Sequence, residues 1–146
     1  MKILMAIDDS PFAGEVTQAV ITQFPAERAE IRLLHVLQPI SAAAPPQMAA
    51  GYAPELENQE REAHALVERI AGQLRSAGFK VDRAVVEIGD TREKIVDSAA
   101  QWGADLIIVG SHGRTGLKRL LLGSVAEFVI RHAQCSVQIV RRRMTV

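Results

Sequence analysis

The sequence predicts an α/β protein: a single-domain three-layer sandwich built on a mainly parallel sheet of five strands. Three observations point there. Short apolar runs of strand length stop at turn residues, as strands covered on both faces should. Amphipathic stretches of helical period lie between them. The two kinds of segment alternate strictly, β-α-β-α-β-α-β-α-β, which implies parallel strands, right-handed crossovers and helices on both faces.

Taken in order, residues 3–7 (Ile-Leu-Met-Ala-Ile) form the first strand, ending at Asp8. Ser10 and Pro11 then suit the N-cap and first position of a helix carrying Phe12, Val16, Ala19 and Val20 on one face. Residues 31–37 form the second strand, ending before Pro39. The segment 38–54 holds four of the six prolines and no charge. It is too long for an ordinary β-to-α connection, so it reads as a lid or partner loop, or as an excursion with no role. The longest helix is predicted over 55–77, with Ala63, Leu66, Val67, Ile70 and Leu74 at helical spacing and Gly78 as its stop. Residues 81–88 alternate as a half-exposed edge strand. Asp90 and Glu93 resemble a capping box before Ile95, Val96 and Ala99. Residues 106–109 form the fourth strand, ending at Gly110, and Ser124 with Glu127 repeats the capping signature before Val125, Phe128 and Val129. Residues 137–140 close the series as a second edge strand. In sheets of this kind ligands bind beyond the carboxyl ends of the strands, where the strand order reverses.

Composition narrows the function classes. The chain has 146 residues, 48% hydrophobic and 23% charged, which is ordinary for one globular domain spanning 1–146. Seventeen basic residues balance seventeen acidic ones. A dedicated nucleic-acid binder carries a basic excess, so no nucleic-acid partner is expected, and 141–143 (three arginines) reads as a solvated tail. Cys135 is the only cysteine, which suits a reducing, cytoplasmic setting and an inert structural thiol. No apolar run reaches the roughly 18 residues of a membrane span, so no membrane is expected, and the apolar stretch before Asp8 is too short for a signal peptide.

The informative stretch is 110–124, Gly-Ser-His-Gly-Arg-Thr-Gly-Leu-Lys-Arg-Leu-Leu-Leu-Gly-Ser. A strand ends in glycines and a helix begins at Ser124. Glycines let backbone N–H groups approach a ligand, and successive N–H groups at a helix N-terminus attract anions. Arg114, Lys118 and Arg119 add charge, so phosphate is the natural guest. The Walker A pattern and the dinucleotide fingerprint are both absent. What is present is G-x2-G-x9-G-S at Gly110, Gly113, Gly123 and Ser124.

That spacing resembles the ATP-binding signature of the universal stress protein family. The resemblance covers the whole chain. It takes in the strand end Ile7-Asp8 with Ser10, the strand end His35-Val36, the strand 105–110, the glycine motif, Val125-Ala126-Glu127 and the short strand after Cys135. It implies a parallel sheet of order 3-2-1-4-5. Carried over by position, it implies that Asp8 contacts the ribose or a nearby metal and that Ala6 and Ile7 line the base. Val36 would offer its backbone to adenine. Gly110 and Gly113 would approach the ribose and phosphates, and Gly123, Ser124 and Val125 would bind phosphate. Arg114 joins them on charge alone. Asp9 departs from the family pattern, in which many relatives have glycine or another uncharged residue. Two adjacent carboxylates would repel a polyphosphate unless Mg2+ or Mn2+ lay between them, with Asp8 as the candidate metal residue. A homodimer is implied through the last strand, at Val137, Ile139 and Val140. Gln138 departs from the usual apolar pattern there, and Ser136 stands where proline is frequent.

Plainer roles compete at several of these residues. Ser124 alone reads first as an N-cap, and only the full glycine spacing turns it towards a ligand. Asp8 can instead cap the turn at Ser10. His112 has no nucleophile to serve, His35 lies within an apolar strand as a satisfied core residue, and His64 and His132 lack metal-ligand spacing. The expected function is an ATP-binding stress-response regulatory module. The alternatives are a slow ATP hydrolase or nucleotidyl-transfer enzyme of the adenine nucleotide α-hydrolase-like superfamily, a sensor of AMP or cyclic AMP, and a nucleotide-free interaction protein.

Overall fold

A computed structural model describes residues 1–38, 49–111 and 122–141. Five parallel strands form one sheet: β1 (Lys2–Ala6), β2 (Glu30–Leu37), β3 (Lys80–Ile88), β4 (Leu106–Gly110) and β5 (Ser136–Val140). Their order is β3-β2-β1-β4-β5, as expected. Among the described residues four helices connect them: α1 (Ala13–Gln23), α2 (Ala49–Ser76), α3 (Thr91–Trp102) and α4 (Ser124–His132), with a 3-10 turn at Ala26–Arg28.

Strand periodicity sends alternate side chains to opposite faces, and the core divides accordingly. Ile3, Met5, Ile31, Leu33 and Ile108 pack under α1 and α2, against Val20, Val67, Ile70 and Leu74. Leu4, Leu34, Ile107 and Val109 pack under α3 and α4, against Ile95, Ala99 and Val129. Burying each such side chain contributes about 1.5–3 kcal/mol. The apolar runs lack a polar alternation because both faces of β1, β2 and β4 are covered. The connections through α1 and α2 run outward on one face and those through α3 and α4 on the other. The strand order therefore reverses between β1 and β4, and a crevice opens at their carboxyl ends.

Three helix starts differ from expectation. Ser10 does not cap α1. Its N–H and hydroxyl both donate to Asp8 Oδ1, at 3.1 and 2.5 Å, so the hydroxyl is held one turn before the helix. Phe12 takes the N-cap position with no side-chain hydrogen bond. Helix α2 begins at Ala49 rather than at residue 55 and carries Pro54 within it, so residues 49–54 of the expected 38–54 loop are helical. Residues 39–48 lie outside the described ones. The Ser124–Glu127 capping box does not form either: Gly123 is the N-cap, Ser124 is the first helical residue, and Glu127 pairs with Arg131 at 2.9 Å. The capping expected at α3 is present, since Asp90 accepts from the N–H groups of Arg92 and Glu93.

The amino ends of the strands are closed by polar contacts. Lys2 N–H donates to Asp105 Oδ2 at 2.7 Å, and Asp105 N–H returns a bond to the Lys2 carbonyl at 2.8 Å. Lys2 Nζ donates to the Trp102 carbonyl at 3.1 Å. The Arg32 guanidinium lies 4.5 Å from the Trp102 ring centroid and pairs with Asp82. The N-terminal ammonium donates to the Arg28 carbonyl at 2.8 Å.

Candidate functional site

A cleft of about 890 Å³ opens at the opposite end of the sheet. It brings together Ala6, Ile7 and Asp8 after β1, Val36 from β2, Gly110 from β4, and Gly123, Ser124 and Val125 at the start of α4. Two of the residues singled out from the sequence, Gly113 and Arg114, lie outside the described residues, as do His112, Lys118 and Arg119. A smaller groove of about 310 Å³ lies over Glu87, Lys94 and Gln101, with its lysine paired to Glu87 at 3.5 Å. It is away from the reversal of strand order.

The β2 side of the cleft is set by where the β1–β2 ladder stops. Its register runs to Ala6 opposite Leu34, and Ile7 N–H still donates to the Leu34 carbonyl at 2.9 Å. One further rung would bond Val36 N–H to the Ile7 carbonyl. That rung is not made. The Ile7 carbonyl accepts instead from His35 Nδ1 at 2.8 Å, which requires that Nδ1 carry the proton, because a carbonyl oxygen only accepts. Val36 N–H and C=O thus have no backbone partner on the β1 side among the described residues, and Val36 lines the cleft. Leu37 faces the other way and accepts from Gly89 N–H at 2.9 Å.

The α4 side is built from helix-start backbone. Gly123 N–H donates to the Ser111 carbonyl at 2.8 Å, and Ser111 N–H donates to the Val140 carbonyl at 2.9 Å. These bonds tie the start of α4 to the ends of β4 and β5. Glu127 N–H is the first to donate within the helix, to Gly123. The N–H groups of Ser124, Val125 and Ala126 precede it and have no intrahelical acceptor, which is the ordinary anion-binding end of a helix. Gly123 is buried while Ser124 is exposed, so the glycine brings the backbone close without a side chain in the way.

Asp8 is half-buried at the mouth. Oδ1 is occupied by Ser10 and orients the carboxylate. The turn-capping role and a ligand role are therefore compatible, because Oδ2 remains. No cluster of three or more metal-ligating side chains occurs among the described residues.

Sequence reasoning missed the contribution of α2. Gln59, Glu62, Leu66 and Arg69 line the cleft along one face of that helix. Their spacing of three and four is legible in the sequence, but their height over the strand ends is not. His35 is buried at 5% exposure and hydrogen-bonded, in agreement with a core reading, yet it also lines the cleft. Cys135 is half-buried and its thiol is pushed above the usual range by burial, which disfavours the reactive thiolate. Gln138 turns towards α1, donating to Gln23 Oε1 at 2.6 Å. No described helix is long and apolar enough to cross a membrane.

The sequence profile of the universal stress protein family matches residues 1–141. Universal stress protein Sll1388 of Synechocystis is 33% identical, over 96% of this chain and 97% of that protein. Among solved structures, hypothetical protein MJ0577 of Methanocaldococcus jannaschii superposes with a TM-score of 0.83 at 35% identity, covering 99% of this chain and 97% of that one. Two more distant structures share the fold. A family member from Arabidopsis thaliana with AMP bound has a TM-score of 0.69 at 19% identity, over 98% and 92% of the two chains. A universal stress protein in complex with cAMP has a TM-score of 0.67 at 21% identity, over 98% of each chain.

Proposed function

The chain belongs to the universal stress protein family, and on that premise we propose that it binds ATP in the strand-end cleft and acts as a nucleotide-dependent regulatory module of the stress response. One observation carries the reading: a single cleft has an open backbone donor–acceptor pair at Val36 on one side and the N-terminus of α4 on the other. An adenine edge needs a donor and an acceptor, and a polyphosphate needs a helix N-terminus. The AMP and cAMP carried by two structural neighbours support an adenine nucleotide.

In this reading Val36 N–H and C=O meet the base, with Ala6 and Ile7 beside it. Asp8, oriented by Ser10, meets the ribose. Gly110 and Gly113 let the sugar and phosphates approach the backbone. Ser124 and Val125 donate to phosphate through their N–H groups, Gly123 keeps the approach clear, and Arg114 adds charge. The donor set suits Mg2+ or Mn2+ held chiefly by phosphate oxygens with Asp8 as one carboxylate ligand, since such ions accept one or two protein carboxylates together with substrate phosphates. Cys135 as a lone thiol fits a cytoplasmic setting.

The same reading includes a homodimer through β5. The two sheet edges differ: β3 carries Lys80, Asp82, Arg83 and Glu87, whereas β5 is Ser-Val-Gln-Ile-Val without charge. Charged edges resist strand pairing and uncharged ones permit it. Val137 and Ile139 are half-buried, while Val140 is buried within its own protomer and offers only backbone. Ile139→Lys should give a monomer in sedimentation.

The nucleotide reading is tested on freshly purified protein without added ligand. The protein is denatured, and whatever is released is identified by chromatography and mass spectrometry. ATP or ADP near one per chain supports the reading, and their ratio reports hydrolysis. AMP or cAMP keeps the cleft and changes the signal. An empty protein that also fails to bind ATP with Mg2+ in titration overturns it.

A further inference from the structure

We propose that His35 is a positioning residue that holds the β1–β2 ladder open by one rung, so that the backbone of Val36 can read the base of the ligand. The inference rests on the nucleotide reading above and adds the residue that makes it selective. Three observations carry it. The ladder stops at Ala6 opposite Leu34, although Ile7 is still close enough to bond Leu34 at 2.9 Å. The carbonyl that would accept the next rung, that of Ile7, is taken by His35 Nδ1 at 2.8 Å. His35 is itself 95% buried, by the complement of its 5% exposure, so its ring cannot swing away without leaving a polar group unsatisfied in the core.

The chemistry follows from the alternation of strand directions. In a parallel ladder the even residues of β2 address β1 and the odd ones address β3, as the bonds of Leu34 to Ile7 and of Leu37 to Gly89 establish. Val36 therefore aims both of its backbone groups towards the space that β1 vacates. The side chain of its neighbour His35 lies on the α1/α2 face, below that space. A donor from His35 satisfies the Ile7 carbonyl from the side. The N–H of Val36 is then available as a donor beside its own carbonyl, an acceptor. Adenine presents the matching pair on one edge, a ring nitrogen that accepts and an amino group that donates. Hypoxanthine and guanine present the reverse, a ring N–H and a carbonyl, and leave both Val36 groups facing like partners. A site built to hydrogen-bond one pattern rejects the reversed one strongly, because buried polar groups are left unpaired.

Replacing His35 with Leu keeps an apolar filling of similar bulk and removes the donor. The Ile7 carbonyl then becomes available to Val36 N–H, the ladder closes by a rung, and the base edge loses its donor. Replacing His35 with Asn keeps an N–H close to the position of Nδ1 and should restore the arrangement.

The test is calorimetric titration of the full-length wild-type protein, His35→Leu and His35→Asn with ATP, ITP and inorganic tripolyphosphate, beside their melting temperatures. The wild type should prefer ATP over ITP by about tenfold or more, His35→Leu should bring the ratio near unity, and His35→Asn should recover most of it. Tripolyphosphate, which has no base, should bind all three alike. A purely structural role for His35 would instead weaken ATP, ITP and tripolyphosphate together, in step with lowered melting temperature. Retention of the full ATP preference in folded His35→Leu overturns the inference and leaves the nucleotide reading standing. Equal binding of ATP and ITP by the wild type does the same. A wild type that binds none of the three overturns the nucleotide reading, and the inference with it. Should His35→Leu fail to fold, His35→Asn decides alone: loss of preference in a folded Asn variant counts against the donor.

Discussion

The two ends of the sheet treat the same kind of backbone group in opposite ways. At the amino ends the exposed rungs are closed: Lys2 and Asp105 exchange two hydrogen bonds, the N-terminal ammonium takes the Arg28 carbonyl, and Trp102 is flanked by Lys2 and Arg32. At the carboxyl ends one rung is withheld at Val36, and the first residues of α4, whose N–H groups lack intrahelical acceptors, line the cleft. Unpaired polar groups weaken a fold unless water or a ligand satisfies them. The difference therefore separates an end whose backbone groups are paired from an end where some are left open.

Several substitutions would break that contrast or sharpen it. The largest effect belongs to neither end. Ile107 is fully buried within β4, and Ile107→Ala should cost about 2–5 kcal/mol in chemical denaturation, the lost transfer energy plus a cavity. Ligand affinity should fall only as the folded population falls. Gly123→Val comes next, with an expected loss of ATP affinity of about tenfold to a hundredfold, because side-chain bulk would block phosphate from a helix start that now lacks it. Unchanged affinity would remove α4 from the site. At the amino end, Trp102→Ala should cost about 2 kcal/mol, below the value for a fully buried tryptophan because Trp102 is half-exposed, and leave ATP binding intact. A shift in affinity there would mean that the two ends are coupled.

Asp90→Ala should cost about 1 kcal/mol through loss of the α3 cap. The hydrogen bond from Arg92, then that from Glu93 N–H, holds the Asp90 carboxyl below its ordinary value of 3.8. A depressed carboxyl stabilises the fold above its unfolded value and loses that contribution as pH falls through the folded one. The penalty of Asp90→Ala should thus be constant near neutrality and shrink in strong acid, as read by denaturation at a series of pH values. The smallest effect is expected at Ser124→Ala. Its hydroxyl caps nothing in α4, so stability should hold within about 0.5 kcal/mol while ATP affinity drops a few-fold. A larger stability loss would restore the capping role that the sequence suggests.

Much of this was legible in the residues. The apolar runs marked β1, β2 and β4 because covered strands have no polar face to show, and the glycine spacing marked the turn from β4 to α4. Helix starts were misread for a local reason. Ser10 and Ser124 both look like caps, but a hydroxyl caps only if nothing nearer binds it and only if it stands just before the first turn. Asp8 claims Ser10, and Gly123 displaces Ser124 into the helix by one position. The start of α2 was hidden by Pro54, which sequence rules place at a helix start and the structure places inside one.

What the sequence by itself determined is the alternation of strands and helices, hence the class of the fold, because hydrophobic period is a property of neighbouring residues. It also determined that glycines and a helix start follow β4. What only the tertiary structure decided is which distant groups meet. Glu62 and Arg69 of α2 share one cleft with the ends of β1, β2 and β4 only because the helix lies across the folded sheet. The β1–β2 ladder stops at Leu34, where a histidine of the neighbouring strand bonds the carbonyl that the next rung would use. Hydrogen bonds between residues 28 positions apart leave no periodic trace in a chain; they exist only once the strands lie side by side.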